Sequence, residues 1–296
     1  MFLILSRDEK YMFKILKNLA LFFLAFLNVA VFAINVNFSD PTTTPAGSPD
    51  LASSGERAQI TTDSSGRYVY AVWDDSPGAV QVAISSDFGE NWNNPTSVPG
   101  GNITPNLAAS GRSSQITTDS TGRYVYAVWD ISGGAVQAAI SSDFGVTWSD
   151  PTSVPGGNIT PDLASSGELA QITTDSSGRY VYAVWDISGG GPVQVAISSD
   201  FGVTWADPTS TPAGSPDLAS SAVRAQITTD SSGRYVYAVW EDFGGSGAVQ
   251  VAISSDFGVT WVSPTTTPAG SPDLASTGER AQITTDSSGR YVYAVW

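Results

Sequence analysis

A 15-residue string present five times, a second string whose tryptophans recur every 56 or 57 residues, and an apolar period of two within each copy predict an all-β fold. Four-stranded antiparallel units repeated about an axis make a β-propeller, here read as four complete blades and a partial fifth. The first string, QITTDSSGRYVYAVW, begins at Gln59, Gln171, Gln226 and Gln282, and at Gln115 with Thr121 as its single change. The second, SSDFGVTW, begins at Ser141, Ser198 and Ser254, with the variant SSDFGENW at Ser85.

Within a copy, Tyr68, Tyr70 and Val72 alternate with Val69, Ala71 and Trp73, and Val80, Val82 and Ile84 alternate with Gln81, Ala83 and Ser85. That alternation predicts strand A near 58–62, B near 67–73, C near 80–85 and D near 92–98. Between A and B, Asp63-Ser64-Ser65-Gly66 has the chemistry of a tight turn, with Gly66 free to adopt positive φ. The blades then run over about 57–99, 113–155, 169–211 and 224–267, with a partial one at 280–296. A segment at 36–44 resembles strand D and is expected to share that fifth blade. The chain reads as truncated, with further blades expected beyond Trp296.

The first 33 residues differ from the rest. All three lysines, Lys10, Lys14 and Lys17, precede an apolar run from Leu19 that ends Ala30-Val31-Phe32-Ala33. A basic start, a short apolar run and small residues predict a secretory signal peptide, residues 1–33, cleaved after Ala33. Met12 is an alternative start that still leaves a complete signal. The run is too short to remain as a membrane span, so a secreted or cell-surface protein is expected, periplasmic in a Gram-negative source. The remaining residues 34–296 carry nine arginines against 26 acidic residues, a net charge near −17. Such a surface repels nucleic acid. The chain has no cysteine and no histidine, which excludes disulfides, Cys-His and Ser-His-Asp catalysis and ordinary zinc sites.

SSDFGVTW fits the pattern Ser-x-Asp-x-Gly-x-Thr-Trp, and in this the chain resembles the Asp-box, or BNR, repeat propellers of the sialidase-like superfamily. The copy at Ser85 has Asn91 in place of threonine. The resemblance implies a structural turn between strands C and D. In it Asp87, Asp143, Asp200 and Asp256 accept turn hydrogen bonds, Gly89, Gly145, Gly202 and Gly258 permit the bend, and Trp92, Trp148, Trp205 and Trp261 pack between sheets. It is specific for a fold, and a fold hosts many functions.

The copies differ at the end of the propeller formed by the B–C loops and the D–A connections. The B–C loops read DDSPG from Asp74, DISGG from Asp130, DISGGGP from Asp186 and EDFGGSG from Glu241. Variable loops on a constant scaffold are the default place for binding, and also where drift is tolerated. Candidate ligand-binding residues here are Arg57, Arg112, Arg224 and Arg280 at the start of strand A, with Glu168 and Glu241. The remaining arginines, Arg67, Arg123, Arg179, Arg234 and Arg290, follow the A–B turns and read as structural. Asp50, Asp162, Asp217 and Asp273, with Asn106, recur in the D–A connections. They read as solvated loop residues or, alternatively, as an acidic ring about the axis, a type of site that can hold calcium; no other cofactor is expected. The strand-B tryptophans, such as Trp73 and Trp185, read either as sugar-stacking or as core residues. Asn37, Asn102 and Asn158 begin glycosylation sequons.

The family resemblance implies, for an enzyme, an arginine triad gripping a carboxylate, a tyrosine nucleophile helped by a glutamate, and an aspartate acid. Every tyrosine after the signal lies in a YVY copy, so none is set apart for attack, and no Phe-Arg-Ile-Pro motif occurs. No catalytic residue is therefore assigned. A binding module for glycan or extracellular protein is expected, with a sialidase-like exo-glycosidase, or a fragment of one, and a structural envelope protein as alternatives.

Overall fold

The computed structural model describes residues 39–296, apart from 76–77, 103, 132–133, 159 and 245–246; the expected signal peptide lies outside the described residues. Residues Asp40–Trp296 form one compact unit. The first blade contains β1 (Glu56–Thr62), β2 (Val69–Asp74), β3 (Val80–Ser85), β4 (Trp92–Asn93) and β5 (Asn106–Ala108). The second has β6 (Arg112–Thr118), β7 (Val125–Asp130), β8 (Val136–Ser141) and β9 (Asp162–Ala164). The third has β10 (Glu168–Thr174), β11 (Val181–Asp186), β12 (Val193–Ser198) and β13 (Asp217–Ala219). The fourth has β14 (Ala222–Thr229), β15 (Val236–Asp242), β16 (Val249–Ser254) and β17 (Asp273–Ala275), and β18 (Gln282–Thr285) pairs with β19 (Val292–Val295) in the last. Pairing is antiparallel throughout these sheets, and the first strands lie side by side, β1 by β6, β6 by β10, β10 by β14 and β14 by β18. This is a β-propeller with strand A of each blade on the inside.

Strands A, B and C stand where alternation places them; strand D does not run over 92–98. In the first blade only Trp92 and Asn93 pair with β3, because Pro95 has no N–H to continue the ladder. The chain then crosses to the next blade, where Ser97 forms a parallel bridge with Thr147 and the Trp148 N–H donates to the Ser97 carbonyl at 3.0 Å. It returns through the cis proline Pro105 to complete its own outer edge with β5. The later copies repeat this, with bridges Ser153–Thr204 and Ser210–Thr260. The N-terminal segment does the same, Thr43 bridging Asn91, so it joins the first blade; among the described residues no hydrogen bond joins it to β18 or β19.

Asp162, Asp217 and Asp273 therefore begin outer strands, one per blade, and do not form a ring about the axis. Each accepts a hydrogen bond from the strand-C glutamine beside it, at 2.7, 2.7 and 2.8 Å. Among the described residues no group of three or more acidic side chains is placed to hold a metal ion. No helix among them is long and apolar enough to cross a membrane.

The core lies in the seams between blades. Tyr70, Val72, Val80, Val82 and Ile84 of the first blade pack on Val125, Ala127, Trp129 and Trp148 of the second, and the same positions recur in the next two seams. In the first four blades the strand-B tyrosine at the second YVY position reaches across a seam: Tyr126 donates its hydroxyl to the Gly178 carbonyl, and Tyr182 to that of Gly233, both at 2.5 Å. Burial pushes the ionisation of these phenols far above the ordinary value. A main-chain ladder runs beside them, Ser64 to Ser120, Ser120 to Ser176, Ser176 to Ser231 and Ser231 to Ser287, each bond 3.0 Å.

The SSDFGVTW turns also serve the seams. The Asp143 carboxylate accepts the Thr147 N–H at 2.8 Å and hydroxyl at 2.6 Å, and these bonds hold it below the usual carboxylate range against its partial burial. The Trp148 indole donates to the Gly145 carbonyl and is 4% exposed, a burial worth on the order of 3 kcal/mol. Phe144 and Gly145 both have positive φ, and the strained phenylalanine stacks on Tyr68 of the preceding blade at 4.6 Å. Phe201 and Phe257 stack likewise on Tyr124 and Tyr180.

Candidate functional site

At the variable end strand A of each of the first four blades opens on a bulge in which one residue takes a left-handed backbone, Arg57, Ser113, Leu169 and Arg224, and Arg280 takes the same conformation just ahead of β18, all with φ between 52° and 58°. A bulge leaves N–H groups outside the ladder. They are met by a carboxylate at the end of strand B in the preceding blade. Asp74 accepts from the Ser113 N–H at 2.8 Å and the Ser114 hydroxyl at 2.7 Å. Asp130 accepts from the Leu169 N–H at 3.2 Å, Asp186 from the Arg224 and Ala225 N–H groups, and Glu241 from the Arg280 N–H. All four carboxylates are 5% exposed or less. Sequence reasoning missed this collar of acids, because a residue opening a loop carries no mark of being buried. It also shows that Glu241 is a fastening group on the next blade's backbone.

Three of the four candidate arginines are held by these acids. Arg57 lies 3.3 Å from Asp74, Arg112 2.7 Å from Asp130, and Arg224 2.7 Å from Glu241. Arg112 also reaches Glu168 at 3.5 Å across the seam. It sits one position before the left-handed residue of its copy, the place that Arg57, Arg224 and Arg280 themselves occupy, so the four are not equivalent. Arg280 has an exposed side chain, and no carboxylate among the described residues pairs with its guanidinium. Arg224 and Arg280 border one cavity of about 300 Å³ on the inner strands, shared with Leu169, Gln171, Gln226 and Gln282; Arg57 and Arg112 are not on its wall. The structure thus brings two arginines together and leaves the other two apart.

Asp186 has no arginine, since Leu169 and Glu168 stand at the start of its own strand A. Burial pushes its carboxyl up to about 6, with the charges of Glu168 and Glu241 adding to the rise and its two N–H donors opposing it. The strand-B tryptophans resolve as core: Trp73, Trp129, Trp185 and Trp240 are 1–3% exposed, and each indole donates to a strand-C glutamine. Arg67, Arg123, Arg179, Arg234 and Arg290 lie over their neighbouring tyrosine rings at 5.3–5.5 Å.

No family model matches the chain, and no curated protein does. Solved structures resemble it. The GH74 enzyme of Niastella koreensis is 16% identical over 69% of this chain and 23% of its own, with a TM-score of 0.42. A protein of unknown function from Dyadobacter fermentans is 15% identical over 67% of this chain and 61% of its own, at 0.44. A Hadza microbial sialidase is 18% identical over 69% of this chain and 45% of its own, at 0.44. This chain therefore spans between a quarter and three fifths of the length of these structures. At that identity and overlap the likeness carries no information about chemistry.

Proposed function

We propose that the chain is a secreted or surface-displayed propeller that binds a glycan or an extracellular protein at its loop end without turning it over. The observation that carries this reading is how the reactive groups are spent. The second YVY tyrosine of every blade with four strands donates its hydroxyl across a seam, and the buried acids at the loop end hold the next blade's backbone. Among the described residues, neither a tyrosine nucleophile nor a free pair of acids stands beside the arginines. What the loop end offers a ligand is Arg280, whose guanidinium pairs with no carboxylate among the described residues and lies on a cavity it shares with Arg224, which suits a carboxylate on an acidic sugar or a peptide. The Asp-box resemblance supports the scaffold, and the basic, apolar start of the chain supports export.

Titration calorimetry with sialyllactose against lactose tests the carboxylate grip. The acidic sugar is expected to bind and lactose to bind more weakly, with Arg280→Ala reducing the acidic sugar's affinity about tenfold. Equal binding of the two sugars, indifferent to Arg280→Ala, contradicts it. The sialidase-like alternative is tested separately by turnover.

A further inference from the structure

Three cavities repeat at corresponding places on successive blades. The largest, about 430 Å³, lies where the chain crosses from the second blade to the third; the next, about 360 Å³, where it crosses from the first to the second. A smaller one of about 200 Å³ lies between the N-terminal segment and the first blade. Their walls correspond residue by residue. A leucine and an alanine form one side, Leu163 and Ala164 in the largest and Leu107 and Ala108 in the next. A strand-C glutamine, Gln194 or Gln137, forms another, fixed between the buried tryptophan indole and the outer-strand aspartate.

One wall residue stands out chemically. It is Asp207 in the largest cavity, Asp150 in the next and Asn94 in the smallest. Asp150 and Asp207 are partly buried, and burial raises both carboxyls above the ordinary range, with Asp217 adding to the rise at Asp207. Neither makes a hydrogen bond or ion pair, whereas every other partly or fully buried acid among the described residues has a partner. A half-desolvated carboxylate without a donor is costly unless something supplies one. The smallest cavity lacks this feature: its acid, Asp75, already accepts from Ser54 and Gln81.

We infer that the two larger cavities are equivalent binding pockets for a neutral sugar ring, centred on Asp150 and Asp207, which makes the chain at least bivalent. The carboxylate accepts from adjacent hydroxyls of the ring. Serine and asparagine side chains, Ser110 with Asn102 and Ser166 with Asn158, add polar contacts, and Ile131 or Ile187 meets the ring's apolar face. A simple ammonium ion would use the carboxylate but leave the isoleucine, leucine and proline walls without a partner. The volumes lie within the range of small-ligand sites, roughly 300–1,000 Å³. The inference takes glycan as the partner class of the proposed function but places it away from the arginines.

The test is saturation-transfer NMR and calorimetry of the purified chain with methyl glucoside, methyl galactoside, methyl mannoside and N-acetylglucosamine, and with methylammonium as the cationic control. One or more of the sugars is expected to bind at two sites per chain. Asp150→Ala and Asp207→Ala should each weaken one site at least tenfold, the double variant both, and Asp150→Asn and Asp207→Asn less. Because neither side chain holds another residue, and Asn94 fills the same place in the first blade, the variants should keep the wild-type circular dichroism. Arg280→Ala should leave both sites intact, so loss of acidic-sugar binding alone would strike the carboxylate grip and not these pockets. The inference is overturned if none of the four sugars binds, if binding survives the double variant, or if methylammonium alone binds in an Asp150- and Asp207-dependent way.

Discussion

Asp186 differs from its counterparts in what stands around it. Asp74, Asp130 and Glu241 each meet a guanidinium, while Asp186 stands opposite Glu168 in the ladder and feels its negative charge. With its carboxyl raised to about 6 from 3.8, the folded state holds a proton more tightly than the unfolded one across that window. Its contribution is therefore fully present below about pH 4 and is lost as pH rises through 6, by on the order of 2–3 kcal/mol. Asp186→Asn should remove this slope. Denaturant midpoints measured from pH 4 to 7 should show the wild type losing stability relative to the variant; parallel curves would contradict the assignment. None of this was legible in the sequence, where Asp186 and Asp130 open loops with the same first four letters. The difference lies in a bulge on the neighbouring strand, and left-handed arginine, serine and leucine leave no sequence signal.

At the scale of elements, the C–D turn shows how a local motif is coupled to its neighbour. Gly202 has φ +76° and a Cβ there would lie 2.6 Å from the Ile140 Cγ2 of the preceding blade, whereas Gly89 has φ +85° and open space around it. Both alanine variants incur the cost of a left-handed backbone, about 1–2 kcal/mol. Gly202→Ala must also displace packed atoms, so its total should reach about 3 kcal/mol or more. Thermal unfolding of the pair checks this; equal losses would show that the turn acts alone. Strands A, B and C could be read from alternation because one face of each packs in a seam. Strand D could not, since Pro95 ends it after two residues and its outer half returns from the neighbouring blade. The pockets at Asp150 and Asp207 were hidden for the same reason, as Asp-Pro after a tryptophan reads as a solvated turn.

Across the whole molecule, stability resides in repeated seams and not in the sheets singly. The faces at the two ends of the array show what a seam contributes: Ile60 and Phe88 on the first blade are 69% and 68% exposed, and Tyr293 on β19 is 61% exposed. Tyr182→Phe leaves the Gly233 carbonyl without its donor and should cost about 1–2 kcal/mol. Tyr293→Phe, the same change on the open face, should lie within about 0.5 kcal/mol of wild type. Comparable losses at both positions would mean that the phenol acts within its own blade.

The same network explains why the copies are so alike. A tyrosine, an aspartate and a tryptophan are committed to each seam, and variation is concentrated at the loop end. Turnover tests the proposed function most directly. The purified, folded chain, with its β structure verified by circular dichroism, is assayed with a fluorogenic sialoside alongside Arg112→Ala. The binding-module account predicts no hydrolysis above background by either protein. Hydrolysis by the wild type that Arg112→Ala abolishes would contradict it and place a catalytic arginine at the loop end.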